Sequence, residues 1–289
     1  MTITELFSKK SPTLSFEVFP PKSGANFDTV TEATHEIAKL KPDFMSVTYG
    51  AGGGTSEYTA AIAKDILDRY SVTPLAHLTC VSSTKEKAIS EIKKLQSLGI
   101  ENILALRGDI PADAPSRDEW DYHYACELIA DIKETAPGMC VGGACYPEGH
   151  IERTSYTDDI KNLKTKVDAG CDFLTTQMFF DNNIFYNFLY KIRSAGIEVP
   201  VVAGIMPVAN LRNVKRSCEL SGTELPYRFK QILDRFGSDP AALRQAGIAY
   251  ATEQIIDLIA NGVNHIHIYT MNKPDVAAAI KNGLSEIIK

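Results

Sequence analysis

This chain has no stripe of basic residues, no apolar run of membrane length and no closely spaced cysteine pair, and each absence closes off a class of function. Lysine and arginine number 30 against 36 aspartates and glutamates, for a net charge of −6. With no basic stripe to neutralise phosphates, nucleic acid is not an expected partner. Apolar segments fall short of the roughly 20 residues that span a bilayer, so no membrane association is expected. The opening residues, MTITELFSKKSPTLSFEV, lack the apolar core and small-residue cleavage site of a signal peptide. The six cysteines (80, 126, 140, 145, 171 and 218) form no C-x-x-C pair, which argues against structural zinc or a disulfide framework. A reducing cytoplasm is the expected location.

Familiar nucleotide and catalytic motifs are missing too. The nearest approach to a dinucleotide fingerprint, residues 50–55 (GAGGGT), has Thr55 where the third glycine belongs, and it lacks the G-K-[ST] ending of a P-loop. So glycine-rich a loop lets backbone approach a ligand closely; a flexible strand-to-helix turn is the alternative. The strand ends carry no lysine suited to a Schiff base, which weakens an aldolase reading. His77 and His150 stand in neither H-x-H nor H-E-x-x-H spacing, so no metal is expected.

What is present is a repeating pattern. Eight short apolar runs occupy residues 13–20, 44–50, 74–80, 102–109, 140–147, 173–180, 201–208 and 265–270. Near their ends sit Glu17, Thr48, His77, Arg107 with Asp109, Tyr146, Gln177 and Tyr269; 204–208 (GIMPV) brings no ionisable tip and reads as an apolar wall. Amphipathic segments of helical period lie between them, at 27–40, 56–70, 84–98, 120–135, 157–169 and 184–195; Gly99, Gly170 and Gly196 follow three of them as helix stops. Strands apolar along their length and polar at the tip are what a parallel barrel needs when its site lies at the C-terminal face.

At 289 residues and 44% hydrophobic content, the expected fold is α/β: one (β/α)8 TIM barrel, residues 1–289, as a single domain. Helical patterns at 211–220, 227–236 and 241–260 all fall between strands seven and eight. A barrel spends one helix there, so the first two read as an insertion over the C-terminal face, either a substrate wall or lid or a packing decoration. A short helix at 3–9 is expected to plug the barrel bottom.

Glu17 lies in SFEVFPPK, between Phe16, Val18 and Phe19. Partial desolvation there raises a carboxyl pKa and suits a general acid. Pairing with a buried lysine or arginine is the alternative. Arg107-Gly108-Asp109 permits close approach of a planar or phosphorylated ligand, or is a structural Arg–Asp pair. His77 reads as a ligand or as a satisfied core histidine. Gln177 needs a buried partner, either a polar heterocycle or neighbouring backbone. The pair His265 and His267 is explained by strand alternation alone.

Taken together, SFEVFPPK, FMSVTYGAGG, AHLTC, ILALRGD, YPEGH, KNLKTKVDAG, FLTTQMFFD and GIMPV resemble the methylenetetrahydrofolate reductases of bacterial type, in the family's order and over nearly the whole chain. The resemblance implies an FAD-binding barrel that passes a hydride from NADH or NADPH, through the flavin in ping-pong fashion, to 5,10-methylenetetrahydrofolate. The product, 5-methyltetrahydrofolate, feeds methionine synthesis.

By the same resemblance Glu17 is the acid that protonates N10 of the folate, Asp109 the carboxylate near flavin and pterin, and Gln177 an amide contacting folate. Thr48, His77, Arg107, Gly108, Asp109, Tyr124, Ala125, Tyr146, His150, Asp159, Asn162 and Lys166 look like the FAD-binding set. Tyr269 and Lys273 join the substrate side.

Two positions depart from the enterobacterial pattern. Thr165 stands where an arginine often meets the FAD phosphates, and Lys273 where an arginine grips the folate glutamate tail; lysine keeps the charge without the planar fork. No C-terminal regulatory domain, and hence no adenosylmethionine inhibition, is expected. A homo-oligomer, dimer or tetramer, is expected from relatives. The alternative function within the resemblance is a folate-reducing subunit that takes electrons from a partner protein or ferredoxin.

Overall fold

The computed structural model describes residues 1–21, 27–49, 56–81, 83–110 and 116–288; the glycine-rich loop at 50–55 and Lys22 lie outside them. Strands β1 (Thr13–Val18), β2 (Phe44–Val47), β3 (Thr73–Thr79), β4 (Asn102–Leu106), β5 (Cys140–Cys145), β6 (Phe173–Thr176), β7 (Val201–Ile205) and β8 (His265–Tyr269) pair in chain order, all parallel. The β1–β8 ladder, from Thr13 opposite His265 to Glu17 opposite Tyr269, closes the barrel. Around it run α2 (Phe27–Ala38), α3 (Ser56–Tyr70), α4 (Lys85–Ser97), α5 (Ala125–Thr135), α6 (Tyr156–Asp168), α7 (Asn182–Ser194), α10 (Pro240–Ala260) and α11 (Pro274–Gly283). The expected TIM barrel is the observed fold.

Alternation along each strand sorts side chains into two sets. Leu14, Phe16 and Val18 of β1, like Ile266 and Ile268 of β8, point outward and are buried beneath the helices in the main core. The inward set is graded. At the bottom, Phe44, Leu75, Leu104, Phe173 and Val202 form an apolar plug with Ile3 of α1 (Ile3–Lys9). Phe7 seals it, stacking on His265 and meeting Phe44 and Phe173 edge-on. The α1 helix closes the barrel base as its sequence foretells. Higher up, the inward positions turn polar.

The insertion between β7 and β8 consists of α8 (Leu211–Ser221) and α9 (Tyr227–Phe236). Val214, Phe229 and Leu233 pack with Met178 and Phe180 beyond β6 and Met206 and Val208 beyond β7. The Thr223 hydroxyl donates to the Met178 carbonyl at 3.2 Å. These contacts make the insertion a packed wall of the mouth.

Two differences from the sequence reading have local causes. Helix α5 begins at Ala125 rather than at 120, because Glu127 folds back to accept the N–H groups of His123 and Tyr124 and caps the helix there. Helix α11, not assigned above, starts at Pro274 as a first-turn proline. Among the described residues no helix is long and apolar enough to cross a membrane.

Candidate active site

The polar half of the barrel interior is built on β1, β2, β3 and β8. His267 bridges three strands: Nδ1 meets the Ser15 hydroxyl at 2.8 Å and Nε2 the Ser46 hydroxyl at 3.1 Å. Its ring stacks on Phe44 below and meets Tyr269 edge-on above. One turn of the alternation above Ser15 stands Glu17, whose side chain is 19% exposed. Its Oε2 lies 3.8 Å from Nε2 of His77 and 4.0 Å from Nε2 of His267.

Charge pairing at such distances would favour a carboxylate between imidazolium rings, but burial decides the outcome. Desolvation pushes the Glu17 carboxyl up to about 8 and both imidazoles down to about 3. At neutral pH the three groups are a protonated acid facing two neutral rings. Among the described residues no lysine or arginine pairs with Glu17, so the structural alternative for this residue fails. His77 is 6% exposed and its Nε2 has no hydrogen-bond partner among the described residues; it is buried without being satisfied by them.

Tyr269 donates its hydroxyl to the Thr176 carbonyl across the mouth, and burial raises its pKa further. That contact needs a glycine on β7. A Cβ on Gly204 would stand 2.4 Å from the Thr176 oxygen and 2.6 Å from the Tyr269 hydroxyl. Gln177, just past β6, accepts the Met178 N–H with its own Oε1 at 2.9 Å. The neighbouring-backbone partner is therefore real for the oxygen, while its amide NH2 has no partner among the described residues.

A second polar group gathers on the β4–β5 side. Arg107 makes a bidentate pair with Glu152, both bonds 2.7 Å. The structural Arg–Asp pair is thus replaced by an Arg–Glu pair 45 residues apart in the chain. Asp109 is exposed on the same loop. Gly108, at φ 89°, lies so close to the end of β3 that a Cβ would meet Val81 at 2.8 Å. Tyr146 and His150 stack edge-to-face with ring centres 4.7 Å apart. The His150 N–H donates to Asp159 at 3.1 Å.

Asp159, Asn162 and Lys166 recur on one face of α6. Lys166 lies across β5 and donates to the Ala144 carbonyl at 2.5 Å, its pKa lowered by burial. Thr165 is exposed and turns its hydroxyl back to the Lys161 carbonyl. Thr48 follows β2, with its N–H on the Val18 carbonyl. Tyr124 and Ala125 form the start of α5, the tyrosine exposed and the alanine buried. Lys273 caps α11 beside the tip of β8.

The site so assembled has a buried acid at one side of the mouth and cations and aromatic rings at the other. A family model described as methylenetetrahydrofolate reductase matches residues 2–285. The chain belongs to the methylenetetrahydrofolate reductase family. The 5,10-methylenetetrahydrofolate reductase of Escherichia coli is 34% identical over 271 residues, covering 94% of this chain and 90% of that one. Methylenetetrahydrofolate reductase 1 of Schizosaccharomyces pombe is 36% identical over 270 residues, 91% of this chain but only 44% of the yeast protein. The chain thus spans less than half of that relative and most of the bacterial one.

Among solved structures, an uncharacterized Clostridium thermocellum protein that binds two copies of 5-methyl-5,6,7,8-tetrahydrofolic acid superposes with a TM-score of 0.64. It covers 99% of both chains at 12% identity, a likeness of fold alone. Family members are reductases, and a folate is the substrate class their name carries. Sequence reasoning passed over Glu152 and put His267 down to strand alternation alone, whereas the structure makes it the hub of the polar interior. The register that sets His267 opposite Ser15 comes from barrel closure, and nothing local marks Glu152.

Proposed function

We propose that this chain reduces 5,10-methylenetetrahydrofolate to 5-methyltetrahydrofolate, with FAD as hydride carrier and NADH or NADPH as electron donor, and so supplies methyl groups for methionine synthesis. The observation that carries the reading is the Glu17 carboxyl, sunk in the barrel mouth 3.8 and 4.0 Å from two buried imidazoles with no lysine or arginine pairing it among the described residues, a setting that pushes its pKa up to about 8. Ring opening of the folate needs a proton at N10 from a group that keeps its proton at neutral pH. An ordinary carboxylate has already lost it; a desolvated one beside neutral imidazoles has not. The Glu17 O–H bond breaks as the N10–H bond forms, the methylene C–N10 bond breaks with its electron pair going to N10, and the N5 lone pair forms the 5-iminium whose carbon is the hydride acceptor.

The remaining residues fit a flavin dinucleotide. His77 offers a buried nitrogen with no hydrogen-bond partner among the described residues. Tyr146 and His150 offer a planar, hydrogen-bonding pair, and Arg107 and Lys166 offer cations now held by Glu152 and the Ala144 carbonyl. Asp159 and Asn162 share the α6 face with Lys166, and Thr48, Gly108, Tyr124 and Ala125 complete the set. When bound, FAD supplies the two-electron chemistry that no side chain here provides. On this reading Asp109 and the amide NH2 of Gln177 would hold the pterin, Tyr269 would form a wall beside it and Lys273 would meet the glutamate tail.

An anaerobic spectrum tests the reading. The purified protein should be yellow, bleach with NADH and recover its colour with methylenetetrahydrofolate. A colourless protein that FAD cannot reconstitute would refute it. A yellow protein that NADH cannot bleach, but that copurifies with a cysteine-rich partner, would favour the partner-dependent alternative.

A further inference from the structure

Beyond Val18 the first strand runs Phe19-Pro20-Pro21. Prolines have no N–H to continue a ladder, and the residue before one is held extended. The N–H and C=O of Phe19 therefore need partners that no regular strand pairing supplies. Asn272 supplies both: its Oδ1 accepts from Phe19 N–H at 3.0 Å and its Nδ2 donates to the Phe19 carbonyl at 2.9 Å. Two residues earlier the Thr270 hydroxyl donates to the Glu17 carbonyl at 2.6 Å. On the other flank the Thr48 N–H holds the Val18 carbonyl at 3.0 Å.

The turn is strained to make this reach. Met271 and Asn272 stand at φ 53° and 52°, successive left-handed residues without a glycine. Such a conformation is unfavourable for a residue with a side chain, and asparagine bears it better than most. An overdetermined local strain beside a buried acid points to a constraint of function rather than of chain connection.

We propose that Asn272, assisted by Thr270, is a positioning residue for Glu17, clamping the tip of β1 so that the carboxyl stands at a fixed place against the substrate. The proposal rests on the reading of Glu17 as the proton donor. The groups facing Glu17 are His77 of β3 and His267 and Tyr269 of β8, all neutral at neutral pH. A tip released from its clamp lets water to the carboxyl, whose pKa then falls toward the ordinary range.

The test uses FAD-loaded protein and follows the two half-reactions separately by anaerobic stopped flow. Asn272→Gly keeps the left-handed backbone and removes the amide; Asn272→Asp keeps the acceptor for Phe19 N–H and loses the donor. Displacing a reacting group by about 1 Å costs about a hundredfold. Flavin reoxidation by methylenetetrahydrofolate should therefore slow about ten- to a hundredfold in Asn272→Gly, and less in Asn272→Asp, while flavin reduction by NADH changes by less than about twofold.

The donor must be protonated, so reoxidation falls as pH rises through its pKa, and in Asn272→Gly that fall should move to lower pH. Equal slowing of both half-reactions with an unmoved pH midpoint would show a merely structural role and overturn the proposal. So would a wild-type reoxidation rate in Asn272→Gly when Glu17→Gln blocks it. If Glu17→Gln itself reoxidises normally, the reading of Glu17 fails, and the clamp's role falls with it.

Discussion

Replacing Glu17 by glutamine keeps its shape and removes its titration, and the consequence for stability follows from the site. Burial moves this carboxyl from an ordinary 4.5 to about 8. Between those values the folded protein keeps a proton that the unfolded chain releases. The associated stability is complete below about pH 4.5 and is lost as pH rises, until the group ionises in the fold near pH 8. At about 1.4 kcal/mol per pH unit, wild type forfeits about 3 kcal/mol at neutral pH and about 5 kcal/mol above pH 8, less whatever its partial exposure relieves. His77 and His267, lowered to about 3, titrate in the opposite sense, losing stability as pH falls below 6.5. They are common to both proteins and cancel in the difference.

Urea unfolding of flavin-free wild type and Glu17→Gln at about pH 5, 7 and 8.5 reads that difference directly. The two should be close in the acid range, and the variant should be more stable by several kcal/mol at the alkaline end. A gap that does not widen with pH, or a variant less stable at high pH, would refute the claim that burial alone sets the state of Glu17.

Other expectations rest on single contacts. Gly204→Ala drives a Cβ into the Thr176 carbonyl and the Tyr269 hydroxyl, an overpacking worth about 1–3 kcal/mol; thermal unfolding should show the loss, and an unchanged midpoint would contradict the close approach. His267→Phe strands the Ser46 hydroxyl and takes one partner from the Ser15 hydroxyl, at about 1–3 kcal/mol, read as a lower urea midpoint. Glu152→Gln frees Arg107 from a competing carboxylate that is 45% exposed; exposed pairs are worth about 1 kcal/mol or less, so FAD should bind up to about fivefold tighter by fluorescence titration. Weaker binding would mean that Glu152 helps hold the flavin.

The sequence by itself determined the strands, their order and the chemistry at their tips. Apolar runs, glycine stops and polar ends are local patterns, and a parallel barrel is what buries eight such runs between helices. It also marked Glu17 as a carboxyl within an apolar strand, but Phe16 and Val18 point outward into the helix-covered core, so its desolvation comes from groups across the barrel interior. Only the tertiary structure decided the state of that carboxyl. Its neighbours come from β3 and β8, and the rings there are neutral rather than cationic, which no local window reveals. The same holds for Arg107, whose partner proved to be Glu152 and not the adjacent Asp109. It holds most for Asn272, which completes the backbone pairing of Phe19 from 253 residues away. Barrel closure brings the two ends of the chain together, and contacts across that seam depend on register and strand tilt, which periodicity does not encode.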